Sequence, residues 1–588
     1  MQKIKDELEK LRKFFSYILS KISTTIKSFS LIERVIFNTA LIIFIISTAL
    51  ILNKVNQSFL IEIPTPGGSF TEGIIGSPRF INPILATSNV DKDLCSLIYS
   101  GLLKATAEGT LTTDLAESYE ISEDGFVYLF KLKDNLIFHD GYPITTEDIE
   151  FTINMTQNDI VKSPKRVNWD GVKVKRLNDK EIQFTLTQPY SPFLENLTTG
   201  ILPKHIWGNI NPEQFAFSQF NIKPIGSGPY KIEEVKRNSS EVLEKYTLVS
   251  FEKYSLAKPY ISKIYIKLYP DEDTLLLKYA KNEIDSLASV SPEKMPELQE
   301  KDSSLILSTP LPRIFGVFFN QDETAVFTNK EVRSALNQAI DREQIINDVL
   351  NGYGISIDSP VPSKSRYYLE IENPYNNDLE NNRMESAKEI LRQNGWKINT
   401  DGIWEKVTRQ ATTLLTFSIS TANTPELKAV ANLLKERWEE MGAQINLKIF
   451  ETGDLNQNVI RPRKYDSLLF GEAIGRDMDL FAFWHSSQRN DPGLNIAMYA
   501  NITTDALLDQ IRTTNDEELK KEKFEKFQTE INTDKPAVFL YSPEFIYIIP
   551  KKIKNINIDQ LTIPTERFLD INKWYIETDK IWKFFLNQ

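Results

Sequence analysis

His139 and Asp140 are followed closely by Glu147 and Asp148, in "FHDGYPITTED" (138–148). A histidine among carboxylates is raw material for metal ligation or for general acid–base catalysis. Both chemistries need more partners than this stretch supplies. The chain holds three histidines and a single cysteine, Cys95, in 588 residues. No internal disulfide and no multi-cysteine metal site can form. No G-x-S-x-G, H-E-x-x-H or Cys/His pairing points to a hydrolase, and no G-x-x-x-x-G-K-[ST] points to an ATP-driven motor. The glycines of "GSG" (226–228) lack the strand–GxGxxG–helix context of a dinucleotide fold. No cofactor and no metal site is expected.

The elements around His139 explain it without catalysis. "SEDG" (122–125) reads as a hairpin turn in which Gly125 takes a positive φ, between strands in 119–133. Phe126, Tyr128, Phe130 and Leu132 then share one face of the second strand. Asp140-Gly141 is a second turn. Thr145 and Asp148 form a T-x-x-D capping box that opens a helix at Thr146, and Glu147 and Asp148 face the positive end of its dipole. His139 is read as a packed or hydrogen-bonded residue.

Further along, Thr328 and Glu331 are expected to cap a helix carrying Val332, Leu336 and Ile340. Asp341 opens another, ending at Gly352. Thr424-Pro425 starts a third, with Leu427, Val430, Leu434, Trp438 and Met441 on one face and Gly442 closing it. "AQINLKIF" (443–450) reads as a strand. Strand–helix alternation over this length indicates α/β lobes, and 588 residues exceed one hydrophobic core.

The net charge is −11. Residues 1–34 carry eight Lys/Arg against four Asp/Glu, leaving −15 on the remainder. So acidic a surface repels phosphate backbones, which argues against a nucleic-acid partner. Val35–Leu52 is an apolar run of 18 residues without a charge, long enough to span a bilayer. The positive-inside bias puts residues 1–34 in the cytoplasm and the large remainder outside. "ILNKVNQSFLIEI" is a poor cleavage site, so an uncleaved signal anchor is favoured over a signal peptide. Leu8, Leu11, Phe15, Ile18, Ile22, Ile26 and Phe29 recur at helical spacing. They mark either an amphipathic helix on the inner membrane surface or one continuing into the span.

"LAESYEISEDGFVYLFKLKDNLIFHDGYPITTEDIEFTI" (115–153) closely resembles the extracellular solute-binding family 5, the peptide-, oligopeptide- and nickel-binding proteins of ABC importers. "FINPILATSNVDKDLCSLIYSGLLK" (80–104), "LPKHIW" (202–207), "PIGSGPYKI" (224–232), "NKEVRSALNQAIDREQIINDVLNGYG" (329–354) and "GLNIAMYAN" (493–501) are similar to further family blocks, in the family's order. The resemblance covers nearly all of residues 66–550. It implies a two-lobed α/β periplasmic-binding-protein-like fold of type II, cluster C, preceded by one transmembrane helix. Expected boundaries are a leader 1–34, a span 35–52, a linker 53–68, lobe I 69–310 with an inserted subdomain near 89–200, lobe II 311–540, and a return to lobe I over 541–588. The chain would cross between lobes near "STPLPRIFGVFFN" and "DKPAVFLYSPEF".

The same resemblance implies a ligand between the lobes. In lobe I, Ser77, Pro78 and Arg79 match the first-strand segment that lines the cleft, and Ser289 ends the matching "DSLAS" loop. Arg313 and Asn320 are placed at the crossing. Well-known members meet the ligand's amino group with an acid after a lobe II strand. Here "YDSLLFGEAIGRDMDLFAFWHSSQ" (465–488) departs from that pattern. Glu472, Asp477 and Asp479 are the nearby acids, with Glu472 and Asp477 preferred, and Arg476 substitutes for a missing basic residue. Trp484 either lines the cleft or sits in the core. Asn495 and Tyr499 match the later Asn–Tyr block.

The leading expectation is a monomeric, single-pass, membrane-tethered receptor that captures oligopeptides outside the cell. It would deliver them to an ABC permease driven by a separate ATPase. The alternatives are the same fold holding a nickel chelate or oligosaccharide, or an anchored sensor or holdase reporting through residues 1–34.

Overall fold

The apolar run near the N-terminus folds as helix α2, Leu31–Phe59, preceded by α1, Gln2–Lys27. The break between them is local chemistry. The Ser30 hydroxyl accepts from the Glu33 amide at 3.4 Å, and the Glu33 carboxylate accepts from the Ser30 amide at 2.8 Å. This capping box starts a new helix. α2 begins before Val35 and ends beyond Leu52, and none of its side chains is buried. At about 1.5 Å per residue it is about 43 Å long, enough to cross a bilayer. Leu60–Thr65 pairs antiparallel with Glu577–Trp582, from Leu60 opposite Trp582 to Thr65 opposite Glu577. Residues 577–584 therefore group with 2–65 in one compact unit. The computed structural model describes residues 2–298, 302–370, 380–409, 411–514 and 516–584.

The second unit, Pro66–Ile576, holds the site. In chain order its first part comprises β1 (Ser69–Ile75), α3 (Asn89–Ile98), β2 (Ala116–Ile121), β3 (Val127–Leu132), α4 (Thr146–Gln157), β4 (Lys173–Arg176) and β5 (Glu181–Thr185). Next come β6 (Tyr230–Arg237), β7 (Leu243–Ser250), β8 (Lys263–Tyr269), β9 (Ser286–Ala288), β10 (Ser304–Pro310) and β11 (Arg313–Phe319). α5 (Lys330–Gln338), α6 (Arg342–Asp348), β12 (Gly354–Ser356), β13 (Thr416–Ala422), α7 (Pro425–Met441) and β14 (Gln444–Phe450) follow. β15 (Ser467–Ala473), α8 (Ile502–Thr513), α9 (Glu517–Asp534) and β16 (Ala537–Pro550) complete the set used below.

Among the described residues a twelve-stranded sheet runs through both lobes in the order β14-β13-β15-β11-β16-β9-β1-β8-β7-β6, with β10 and β12 also on β16. β16 is the shared element. Its first half pairs with β11, Val317 opposite Val538, and its second half with β10, Thr309 opposite Phe545. At the changeover, the Ser542 hydroxyl donates to the carbonyls of Leu311 and Arg313 at 2.6 and 2.7 Å. Pro312 and Pro543 lie on either side of this tie, and neither has an N–H for a ladder bond.

The apolar side chains separate accordingly. One core runs from Ile314 to Tyr541, another gathers Phe70, Leu97, Tyr246, Phe545 and Trp574. A third packs Phe130, Trp169, Phe184 and Phe193 against an antiparallel sheet of order β2-β3-β5-β4.

Local expectations meet the structure residue by residue. Gly125 has φ +72 in the β2–β3 turn, and the Thr145–Asp148 capping box forms. The Thr424 cap, Pro425 start and left-handed Gly442 stop of α7 also form. α5, however, is not capped by Thr328. It begins at Lys330 after Asn329, because the Thr328 hydroxyl turns back to the Ala325 carbonyl at 2.7 Å, and Glu331 instead binds Lys406 and the Trp396 indole. α6 ends at Asp348, before Gly352.

Candidate ligand-binding cleft

The sheet register decides which side chains of lobe II reach the lobe boundary. Arg313 lies opposite Ala473 and Ile314 opposite Glu472, next to the tie made by Ser542. Strand alternation places Glu472 on the face of Ile314, and Arg313 on the other face with Phe315. Glu472 is 4% exposed, and neither carboxylate oxygen has a hydrogen-bond partner. Burial pushes its carboxyl well above the ordinary range, with no neighbouring charge opposing it. A buried carboxyl without partners calls for an explanation.

On the opposite face Phe315 stacks on Tyr541, with centroids 5.0 Å apart. The Tyr541 hydroxyl donates to Glu426 at 2.6 Å. Burial raises the Glu426 carboxyl, against the Tyr541 hydrogen bond and the Arg313 charge. A cavity of about 180 Å³ lies between Ser291–Glu293 of lobe I and residues 349–350 and 424–426 of lobe II. The Asn351 amide closes one side by donating to the Pro292 carbonyl at 3.1 Å.

The lobe I rim is built from backbone. The amides of Arg79 and Phe80 both donate to Asp91 at 2.8 Å, which moors the 76–80 loop on α3. Ser77 and Arg79 are exposed and Pro78 is buried. Ser289 is exposed with φ +59, and its amide donates to the Ile546 carbonyl at 2.9 Å.

Among the other expected contacts, Asn320, Asn495 and Tyr499 spend their polar atoms within the protein. Asn320 lies at the far end of β11 from the crossing, fully buried, and binds the Arg463 carbonyl and the Asp322 and Glu323 amides. Trp484 is a core residue at 0% exposure, against Phe318 and Phe539. Asn495 ties the His485 and Tyr499 carbonyls and accepts from the Tyr499 amide. The Tyr499 hydroxyl donates to Asp534 at 2.7 Å. These are turn and core devices, because a buried amide or hydroxyl needs such partners. Arg476 pairs with Glu566 at 2.6 Å, and Asp479 with Arg512 at 3.0 Å. Asp477 is raised by burial and by Asp479.

His139 is scaffold. One ring nitrogen meets the Gly228 carbonyl at 3.0 Å, the other accepts from the Gly226 amide at 3.4 Å, and burial pulls the ring down to about 4. The "GSG" turn that the sequence offers is thus the partner of the histidine. Sequence reasoning missed Tyr190, Glu195, Glu426, Arg512, Tyr541 and Glu566. No local spacing marks them, since their partners lie far along the chain.

Known proteins share this architecture. The chain is 28% identical over 521 residues to the oligopeptide-binding protein AppA of Bacillus subtilis, covering 87% of this chain and 92% of that protein. The structure of that protein in complex with a nonapeptide aligns with TM-score 0.66 at 27% identity, over 88% of this chain and all of the other. NikZ from Campylobacter jejuni in complex with Ni(L-His) aligns with TM-score 0.67 at 26% identity, over 86% and 99%. Residues 110–493 match the bacterial extracellular solute-binding proteins, family 5, middle region. With a sheet shared by two lobes and a boundary lined from both, the chain belongs to the bacterial extracellular solute-binding proteins, family 5, the substrate-binding components of ABC importers.

Proposed function

We propose that this protein is a membrane-tethered receptor that takes up oligopeptides between its lobes and passes them to an ABC permease. The observation that carries this reading is Glu472. A buried carboxyl with two unpartnered oxygens, on the strand that pairs with β11 beside the crossing, suits one ligand group above others, a peptide's terminal ammonium. An ammonium offers three donors to the two oxygens and supplies the missing charge. The exposed residues Ser77, Arg79 and Ser289 offer carbonyl and hydroxyl groups to an extended main chain, the part common to all peptides. α2 supports tethering by its length and composition, and holding the receptor beside its permease raises its effective concentration there.

The test is native mass spectrometry of the full chain purified in detergent from a peptide-rich host, followed by release under denaturing conditions. A ladder of masses that fragment as short peptides is expected. A single sugar or chelate mass would remove the peptide assignment. In the Glu472→Gln variant, peptides with free N-termini are expected to be depleted on the order of a hundredfold, matching about 2–4 kcal/mol for a lost buried charge partner. Equal retention of free and N-acetylated peptides by parent and variant would take Glu472 out of the site.

A further inference from the structure

We propose that Arg476 is the bolt of an interlobe latch, inserted from lobe II into a socket on lobe I formed by Glu566, Glu195 and the loop at Gly109. The inference rests on the reading that the ligand is enclosed between the lobes, and it adds a protein–protein contact that holds the closed form.

The bolt comes from the turn after β15. The chain passes Gly475 and Arg476 and reverses through Met478 at φ +55. The Arg476 side chain is only 8% exposed. Its terminal nitrogen donates to Glu566 at 2.6 Å, and its Nε lies 4.0 Å from the Glu195 carboxylate with no hydrogen bond of its own. At Gly109 the socket wall is backbone, and a Cβ there would lie 3.9 Å from the guanidinium and 2.1 Å from the Gln560 amide oxygen.

The socket is rigid for a reason in the neighbouring residue. Arg567 is 1% exposed and binds Asp93 of α3 at 2.7 and 3.0 Å and Glu72 of β1 at 3.1 Å. Burial alone would lower its guanidinium, but Asp93 and Glu72 push it up, so it stays charged. This buried fork nails the turn Pro564–Phe568 to the lobe I core, so Glu566 is held in place at the lobe surface. The Thr562 amide, donating to Glu566 at 2.6 Å, fixes the carboxylate further.

A second contact set lies alongside. Asp479 accepts from Tyr190 at 3.3 Å and pairs with Arg512, whose guanidinium lies between the rings of Tyr190 and Phe481. The Ser191 amide donates to the Arg512 carbonyl at 3.3 Å, and Lys520 reaches the Ser191 hydroxyl at 3.2 Å. Tyr190, Ser191 and Glu195 flank Phe193, a core residue of the small antiparallel sheet. Their partners sit on β15's exit turn, α8 and α9. Lobe II thus grips lobe I through side chains that need no ligand.

The test reads closure directly. Spin labels are placed on the full chain in lipid nanodiscs at Lys175→Cys and Lys521→Cys, both exposed, while Cys95 is buried. Pulsed dipolar distances are recorded for the parent, Arg476→Ala, the milder Glu566→Gln and the charge swap Arg476→Glu/Glu566→Arg. A loss of the short-distance population by roughly tenfold in both single variants, with partial return in the swap, is expected. An unchanged distance distribution in Arg476→Ala and Glu566→Gln would overturn the latch. A protein that carries no peptide yet opens on Arg476→Ala would keep the latch and remove the peptide reading, so the two fail separately.

Discussion

In the proposed site Glu472 starts with its carboxyl raised by burial, and nothing nearby opposes that shift. A bound ammonium would reverse the balance, so the proposed capture ejects a proton. The sign follows from linkage. The free protein holds the proton and the complex does not, so affinity rises with pH until the raised pKa is passed. Titration calorimetry in buffers of different ionisation enthalpy should show net proton release on peptide binding. Buffer-independent heats would show that Glu472 does not change state. His139 makes the opposite point. Its ring stays neutral above about 4 and holds two backbone groups, so His139→Gln should cost stability and leave peptide affinity within about twofold.

At the scale of elements, the turn Pro564–Phe568 is fixed to α3 and β1 by one buried arginine. Glu72 is 0% and Asp93 4% exposed. Removing the guanidinium leaves both carboxyls without compensation, which for a buried pair costs about 3–5 kcal/mol. Arg567→Ala should therefore lower the denaturant midpoint of lobe I clearly, while Trp438 and Trp484 report an unchanged lobe II transition. A single shared, unshifted transition would show that the network contributes little. Most elements here were readable from local chemistry. A Thr cap with a carboxylate three residues on, a Pro at the first helical position and a Gly at the stop each act within one turn. α5 shows the limit. Thr328 has the right type and spacing for a cap, yet its hydroxyl found a nearer carbonyl in the preceding turn.

For the whole molecule, closure should depend on pH. In the closed form burial holds Glu195 up to about 7, with Arg476 opposing and Asp477 and Glu566 reinforcing the rise. Once the lobes part, water returns and the carboxyl relaxes toward its ordinary value of 4.5. The closed form binds the extra proton between those values. Closure is therefore favoured as pH falls from about 7 toward 5, and weakened as pH rises through 7. Dipolar distances at pH 5.5 and 8 should show more of the short population at 5.5, and a reversed or flat response would contradict the assignment. The anchor is checked by alkaline carbonate extraction of membranes. Retention of the full-length chain in the pellet is expected, and release of a shortened chain would mean that α2 is cleaved.

The sequence alone determined the family and the two-lobed α/β class, through blocks that follow the family's order, and the apolar helix, through one unbroken run, while His139 found its partners Gly226 and Gly228 only in the fold. The sequence also offered Glu472, Asp477 and Asp479 as the nearby acids, with Glu472 and Asp477 preferred. Only the tertiary structure shows how each of them is placed. It left Glu472 buried and unpartnered, committed Asp479 to Arg512 and Tyr190, and gave Arg476 to Glu566. It also placed Trp484, Asn495 and Tyr499 in the core and its turns. The reason is physical. Burial and pairing are set by neighbours contributed from hundreds of residues away, and no spacing along the chain records which of them arrive.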